Sequence, residues 1–138
     1  MAINPPQGWT TLSASLAYED PRAAIAWLER VLGFATRLCV EDAGTIIHSE
    51  LTFGDAVIMV GSIKRDHVKS PRSVGGANTQ SLMLYVSDVE AHHARARAAG
   101  GKITMDIATQ EYGEDYGTNR SYEVEDPEGH RWWITQRL

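Results

Sequence analysis

Several things are scarce in this sequence, and each scarcity excludes a class of protein. There is a single cysteine, Cys39, so no internal disulfide can form. Its neighbours Leu38 and Val40 point to a small core thiol in a reducing compartment. No apolar run exceeds strand length, so nothing is expected to span a membrane. The opening residues, MAINPPQGWT, lack the charged start and apolar centre of a secretory signal. The expectation is therefore a cytoplasmic protein. Positive charge is also short: 13 Lys and Arg stand against 18 Asp and Glu, a formal net charge of -5. Binding a nucleic-acid backbone needs a concentrated basic face, so no nucleic-acid partner is expected.

What is present describes a soluble globular chain. Its 138 residues, 43% hydrophobic and 22% charged, suit one domain or two small halves fused into one. Such a length buries roughly two-thirds of the unfolded surface without covalent staples.

The chain repeats itself. SLAYEDPRAAIAWLERVLGF (15–34) and MLYVSDVEAHHARARAAGGK (83–102) each run from alternating residues to Asp, then a helical pattern, then Gly. Placing Asp20 on Asp88 puts Gly33 on Gly101 and Leu16 on Leu84. Asp20 and Asp88 are suited to cap a helix, because a carboxylate accepts a hydrogen bond from a free N–H of the first turn. Pro21 suits the first helical position. Ile25, Leu28 and Leu32 share a helix face, widened by Trp27 and Val31. The alanines of the second helix let it lie close to a sheet, and Gly100-Gly101 ends it.

Strand patterns follow each helix, over about 35–40, 45–53 and 56–61 in the first half and 102–107, 119–125 and 131–136 in the second. Gly54-Asp55 reads as a two-residue hairpin turn, and Pro127-Glu128-Gly129 as another turn. Each half is therefore β-α-β-β-β, and the class is α+β: repeat 1 over about 10–61, a linker over 62–79, and repeat 2 over about 80–137. The linker is polar, glycine-containing and locally basic, which suits an exposed connection. The acidic 109–119 stretch reads as a loop. A flap over a cavity is the alternative for both.

This plan resembles the vicinal-oxygen-chelate superfamily, which includes glyoxalase I, extradiol dioxygenases and bleomycin-resistance proteins. The resemblance rests on the doubled β-α-β-β-β pattern, the D-x-x-A-A-x-x-W-x-x-x-x-L-G-F run from Asp20 to Phe34, and DPEGH near the end. It is closest to the small bacterial glyoxalase-like members, and it implies sheets curved around a cavity. It also implies a homodimer, in which the acidic loop and basic linker could meet. Members that chelate a metal take its ligands from four strand positions, two in each half. By the local motifs those positions fall here on Ser13, Met59, Ser81 and Trp133. Hydroxyl, thioether and indole are a poor set for Zn, Ni, Fe or Mn, which take imidazole, carboxylate or thiolate. The expectation is no metal cofactor.

Strand alternation extends the site. Ser13 and Ser15 share one face of the first strand, and Ser81, Met83 and Tyr85 one face of its counterpart. Across the Gly54-Asp55 hairpin, Phe53 opposes Ala56, Leu51 opposes Ile58, and Glu50 opposes Met59. Glu123 falls on the Trp133 side, while Trp132 and Ile134 face the helix. The expected ligand-binding set is Ser13, Ser15, Met59, Ser81, Met83, Tyr85, Glu123 and Trp133. An aromatic or cationic organic molecule would fit such a surface, with Glu50 or Glu123 as polar anchor. Trp133 filling the hollow as packing is the competing reading.

His48 and Glu50, two apart on a strand, project to one face. They either act as a catalytic base and its carboxylate, alone or with a divalent metal, or sit idle at a solvent-facing mouth. An enzyme of the lyase, isomerase or dioxygenase kind is the alternative to a binding protein. His92 and His93 read as solvated, and His130 as a turn residue.

Overall fold

Asp20 and Asp88 start their helices as their chemistry requires. In the computed structural model, which describes residues 5–138, each carboxylate accepts a hydrogen bond 3.0 Å long, from the N–H of Ala23 and Ala91 respectively. Helix α1 spans Pro21–Trp27 and runs on as a π-helical turn over Leu28–Leu32, whose Leu28, Val31 and Leu32 are fully buried. Gly33 closes it at φ 89°, a left-handed conformation that costs glycine little. Helix α2 spans Val89–Ala98, and the Gly101 N–H returns to the Ala96 carbonyl at 2.8 Å.

The chain divides into two compact units, one ending at Ser70 and the other starting at Pro71. In the first, β1 (Ala14–Tyr18), β2 (Ala35–Asp42), β3 (Thr45–Phe53) and β4 (Ala56–Ser62) form a sheet ordered β1-β4-β3-β2. In the second, β5 (Leu82–Tyr85), β6 (Lys102–Glu111), β7 (Thr118–Glu125) and β8 (Arg131–Arg137) repeat it as β5-β8-β7-β6. The first and last strands of each unit pair in parallel and the others antiparallel. The α+β class and the doubled β-α-β-β-β plan expected from the sequence are those observed.

One face of each sheet takes the helix. Helix α1 packs on β1 and β4, and α2 on β6, β7 and β8. Leu16, Tyr18, Leu51, Ile58 and Val60 bury the helix side of the first sheet, and Leu84, Tyr122, Val124, Trp132 and Ile134 that of the second. The opposite face of each sheet is left open by its own helix. Among the described residues, no helix is long and apolar enough to cross a membrane.

Four local expectations are corrected. Cys39 is exposed, not core, because the whole of β2 is an exposed edge strand with register shifts around Arg37 and after Val40. The 109–119 stretch is strand at both ends and a loop only over 112–117, since β6 and β7 pair as far as Glu111 and Thr118. Arg120 pins that pairing by donating to Thr109 and Glu90. The 62–79 linker is not uniformly exposed: Ser70 and Pro71 are buried, Pro71–Val74 forms a short 3-10 turn, and Asn78 donates to the Gly129 carbonyl at 2.9 Å. His92 is buried, with its Nδ1 2.6 Å from the Tyr122 hydroxyl, and His93 is half-buried.

Candidate functional site

The back-to-back Trp132 and Trp133 are separated by the pleat of β8. Trp132 turns into the helix side, only 2% exposed, and its indole N–H points to the Asp126 carboxylate at 3.4 Å. The same carboxylate accepts from the backbone N–H groups of Glu128 and His130, which fixes the DPEGH turn and so the phase of the strand. Trp133, half-buried, lies on the open face.

Strand register assembles the rest of that face. Met83 pairs with Trp133, Trp133 with Glu123, and Glu123 with Met105, giving one row across β5, β8, β7 and β6. Met83 is 59% exposed, Tyr85 55% and Met105 41%. Three large apolar side chains thus share one solvent-facing sheet surface. In the centre of the row Glu123 is buried, and its Oε1 accepts from Arg131 Nη1 at 2.7 Å and from the Thr104 hydroxyl at 2.7 Å. The hydrogen bond to Glu123 holds the Arg131 guanidinium more firmly protonated than usual, against an opposing effect of burial. This carboxylate already has its cation.

The first unit carries the equivalent row. Ser15 pairs with Met59, Met59 with Glu50, and Glu50 with Leu38. The hairpin register is the expected one. Glu50 sits between two donors: His48 Nε2 donates to one oxygen at 2.9 Å, and Arg37 Nε to the other at 2.9 Å. Arg37 is itself held by the Gly8 carbonyl at 2.7 Å and lies 5.0 Å from the Trp9 ring centroid. The His48 hydrogen bond, foremost, and then Arg37 keep the Glu50 carboxyl below its ordinary range despite some desolvation. A carboxylate held ionised and fully engaged is a weak base. His48, with its side chain 40% exposed, keeps its other ring nitrogen for solvent or ligand.

Two expected residues stand apart from these rows. Ser13 precedes β1 and lies 3.3 Å from the Thr10 hydroxyl, and Ser81 precedes β5, so neither is in a ladder. Sequence reasoning missed Arg37, Trp9, Thr104, Met105 and Arg131. Arg131 was within reach, since it is two residues from Trp133 and shares its face. Arg37 and Met105 adjoin register shifts, where strict alternation fails.

These donors do not fit a divalent ion. Among the described residues no group of three or more His, Cys, Asp or Glu is arranged to hold one. His48 and Glu50 are bonded to each other, and Arg37 supplies Glu50 with the positive charge that a metal would bring.

A pocket of about 200 Å³ opens in the first unit beside these residues, lined by Ser15, His48, Met59, Lys64, Arg65 and Val68 among others.

A sequence model described as Glyoxalase/Bleomycin resistance protein/Dioxygenase superfamily matches residues 10–134. The chain is similar to TioX from Micromonospora sp. ML1, with 35% identity, 92% of this chain and 95% of that one covered, and a TM-score of 0.71. It shares its fold with TnmS3 from Streptomyces sp. CB03234, described as an antibiotic binding protein, at 17% identity and TM-score 0.64, covering 100% and 99% of the two chains. An uncharacterized protein of Mycobacterium tuberculosis is 31% identical over 97 residues, 67% of this chain and 54% of that protein. The chain thus spans little more than half the length of that curated relative.

Proposed function

Because this chain belongs to the Glyoxalase/Bleomycin resistance protein/Dioxygenase superfamily, we propose that it is a metal-independent binder of a small aromatic organic molecule. The observation that carries this reading is the row Met83, Trp133, Glu123 and Met105, with Tyr85 beside it. Flexible thioethers around an indole make an adaptable apolar wall for a flat ring. Glu123 is matched internally by Arg131 and Thr104, so it orients polar groups of a ligand rather than waiting for a cation. The aromatic half of the expectation therefore gains over the cationic half. That TnmS3 is described as binding an antibiotic supports the reading, as an instance of this fold holding an organic ligand. The same reading has the protein acting as a homodimer in the cytoplasm.

Titration of the full chain with naphthol and with quinolinium, followed by calorimetry and by NMR, tests this. Naphthol is expected to saturate and to shift the Trp133 indole signal, with affinity falling at least tenfold in Trp133→Ala. One tightly bound divalent ion per chain, in protein purified without chelator, would refute metal independence.

One observation favours a second reading. The His48–Glu50 pair has the geometry of an imidazole oriented by a carboxylate, which is how a general base is held. Turnover of a glyoxal-derived thiohemiacetal or a catechol, lost in His48→Ala and kept in Trp133→Phe, would establish it.

A further inference from the structure

The first-unit pocket has walls of one sign. His48, Lys64 and Arg65 line it, and no Asp or Glu does. That is unexpected in a chain of net charge -5, where a surface cation ordinarily has an acid within reach. Here neither Lys64 nor Arg65 has an ionic partner among the described residues. Lys64 is nonetheless placed: its ammonium donates to the Ile47 carbonyl, which tethers it at the edge of β3 and leaves its other hydrogens free. The Val68 N–H bonds the Arg65 carbonyl at 3.0 Å, a turn that helps fold the segment after β4 back beside the pocket. Glu50, the acid bonded to His48, is ion-paired with Arg37.

We propose that this pocket is a binding site for a compact organic acid, with the carboxylate or phosphate held by Lys64 and Arg65. The hydroxyl of Ser15 and the ring of His48 complete the polar wall, and Met59 and Val68 receive the apolar part. About 200 Å³ lies below the roughly 300 Å³ at which drug-sized ligands begin, so the occupant is a small ring or short chain bearing one acidic group. The assignment uses the first unit alone and is independent of the Trp133 face.

NMR titration of the full-length protein with benzoate, phenyl phosphate, inorganic phosphate and benzylamine tests it. Benzoate and phenyl phosphate should shift the amides of Ser15, His48, Lys64 and Arg65 saturably, and benzylamine should not. Lys64→Gln and Arg65→Gln lie on an exposed segment and should leave thermal unfolding unchanged. Each should weaken the acids roughly fivefold, the Boltzmann factor of one unit-charge pair about 4 Å apart in water. Trp133→Ala should leave them unaffected. Equal binding of benzylamine, or unchanged affinity in the Lys64→Gln, Arg65→Gln double variant, would overturn the proposal. Inorganic phosphate binding as tightly as phenyl phosphate would overturn the assignment of an organic occupant.

Discussion

The buried pair of Tyr122 and His92 allows a sharp test of how the second unit is held. Tyr122 lies on β7 facing α2, with no exposed surface, its hydroxyl 2.6 Å from His92 Nδ1. The His93 ring stands edge-on to it at 4.9 Å. Tyr122→Phe removes one oxygen and preserves the ring, so packing changes little. What is lost is a buried hydrogen bond, and what remains is an imidazole nitrogen without that partner. Leaving such a group unsatisfied costs roughly 1–3 kcal/mol. At about 4 °C per kcal/mol for a chain of this size, the melting temperature should fall by roughly 4–12 °C. Replacing both partners by apolar groups costs far less than the two single changes together. The double variant Tyr122→Phe, His92→Leu should therefore recover at least about 1 kcal/mol relative to additivity.

The same hydroxyl fixes a pH dependence. Burial pushes the Tyr122 hydroxyl well above its ordinary value of 10.0. Below pH 10 the phenol is protonated in folded and unfolded chains alike. Above it the unfolded chain releases this proton while the folded chain keeps it, so stability falls as pH rises, by up to about 1.4 kcal/mol per pH unit. Urea unfolding at pH 9 to 11.5 measures this directly. Wild type should lose stability more steeply than Tyr122→Phe. Parallel slopes, or a Tyr122→Phe midpoint within experimental error of wild type at pH 7, would refute the buried pair.

Three further outcomes are expected. Glu50 is held below its ordinary pKa of 4.5 by His48 and Arg37, so its stabilising effect is present above that value and lost as pH falls below it. Glu50→Gln should accordingly flatten the acid side of the stability profile between pH 5 and 3, read by circular dichroism. Trp132→Ala should cost about 3–5 kcal/mol as a core truncation, while Trp133→Ala costs far less and acts on binding instead; equal losses of stability would contradict the assigned faces. Asp126→Ala frees two backbone N–H groups and an indole N–H at the DPEGH turn, and should destabilise by about 2–4 kcal/mol in chemical denaturation.

Much of the fold was legible because its signals are local. A capping Asp, an apolar helix stripe and a closing Gly recur in order, and chain-local chemistry is enough to read them. The Gly54-Asp55 hairpin gave its register correctly for the same reason, since a two-residue turn leaves the strands no freedom to slip. Legibility failed where a residue's surroundings are distant in sequence. Nothing near Arg37 in the chain announces that Gly8, Trp9 and Glu50 converge on it. His92 looked like a polar helix residue because Tyr122, its partner, is 30 residues away. Cys39 looked buried because Leu38 and Val40 beside it are apolar, but the strand carrying all three is an exposed edge.

The two sheet rows share one architecture and differ in the side chains they carry. Glu50 and Glu123 occupy the same place in the repeat, opposite Met59 and Trp133, and each is bonded to an arginine from the neighbouring strand. A carboxylate paired in this way is fixed in direction, which makes it a poor metal ligand and a good orienting group. The difference lies across the strand. Met59, beside Ser15, Lys64 and Arg65, lines the pocket that we propose takes an acid, whereas Trp133, between Met83 and Glu123, belongs to the wall that we propose takes a ring. The acid recurs in both units, but its arginine comes from a different strand in each, Arg37 on β2 and Arg131 on β8, and Thr104, which also donates to Glu123, stands where Arg37 does in the first unit.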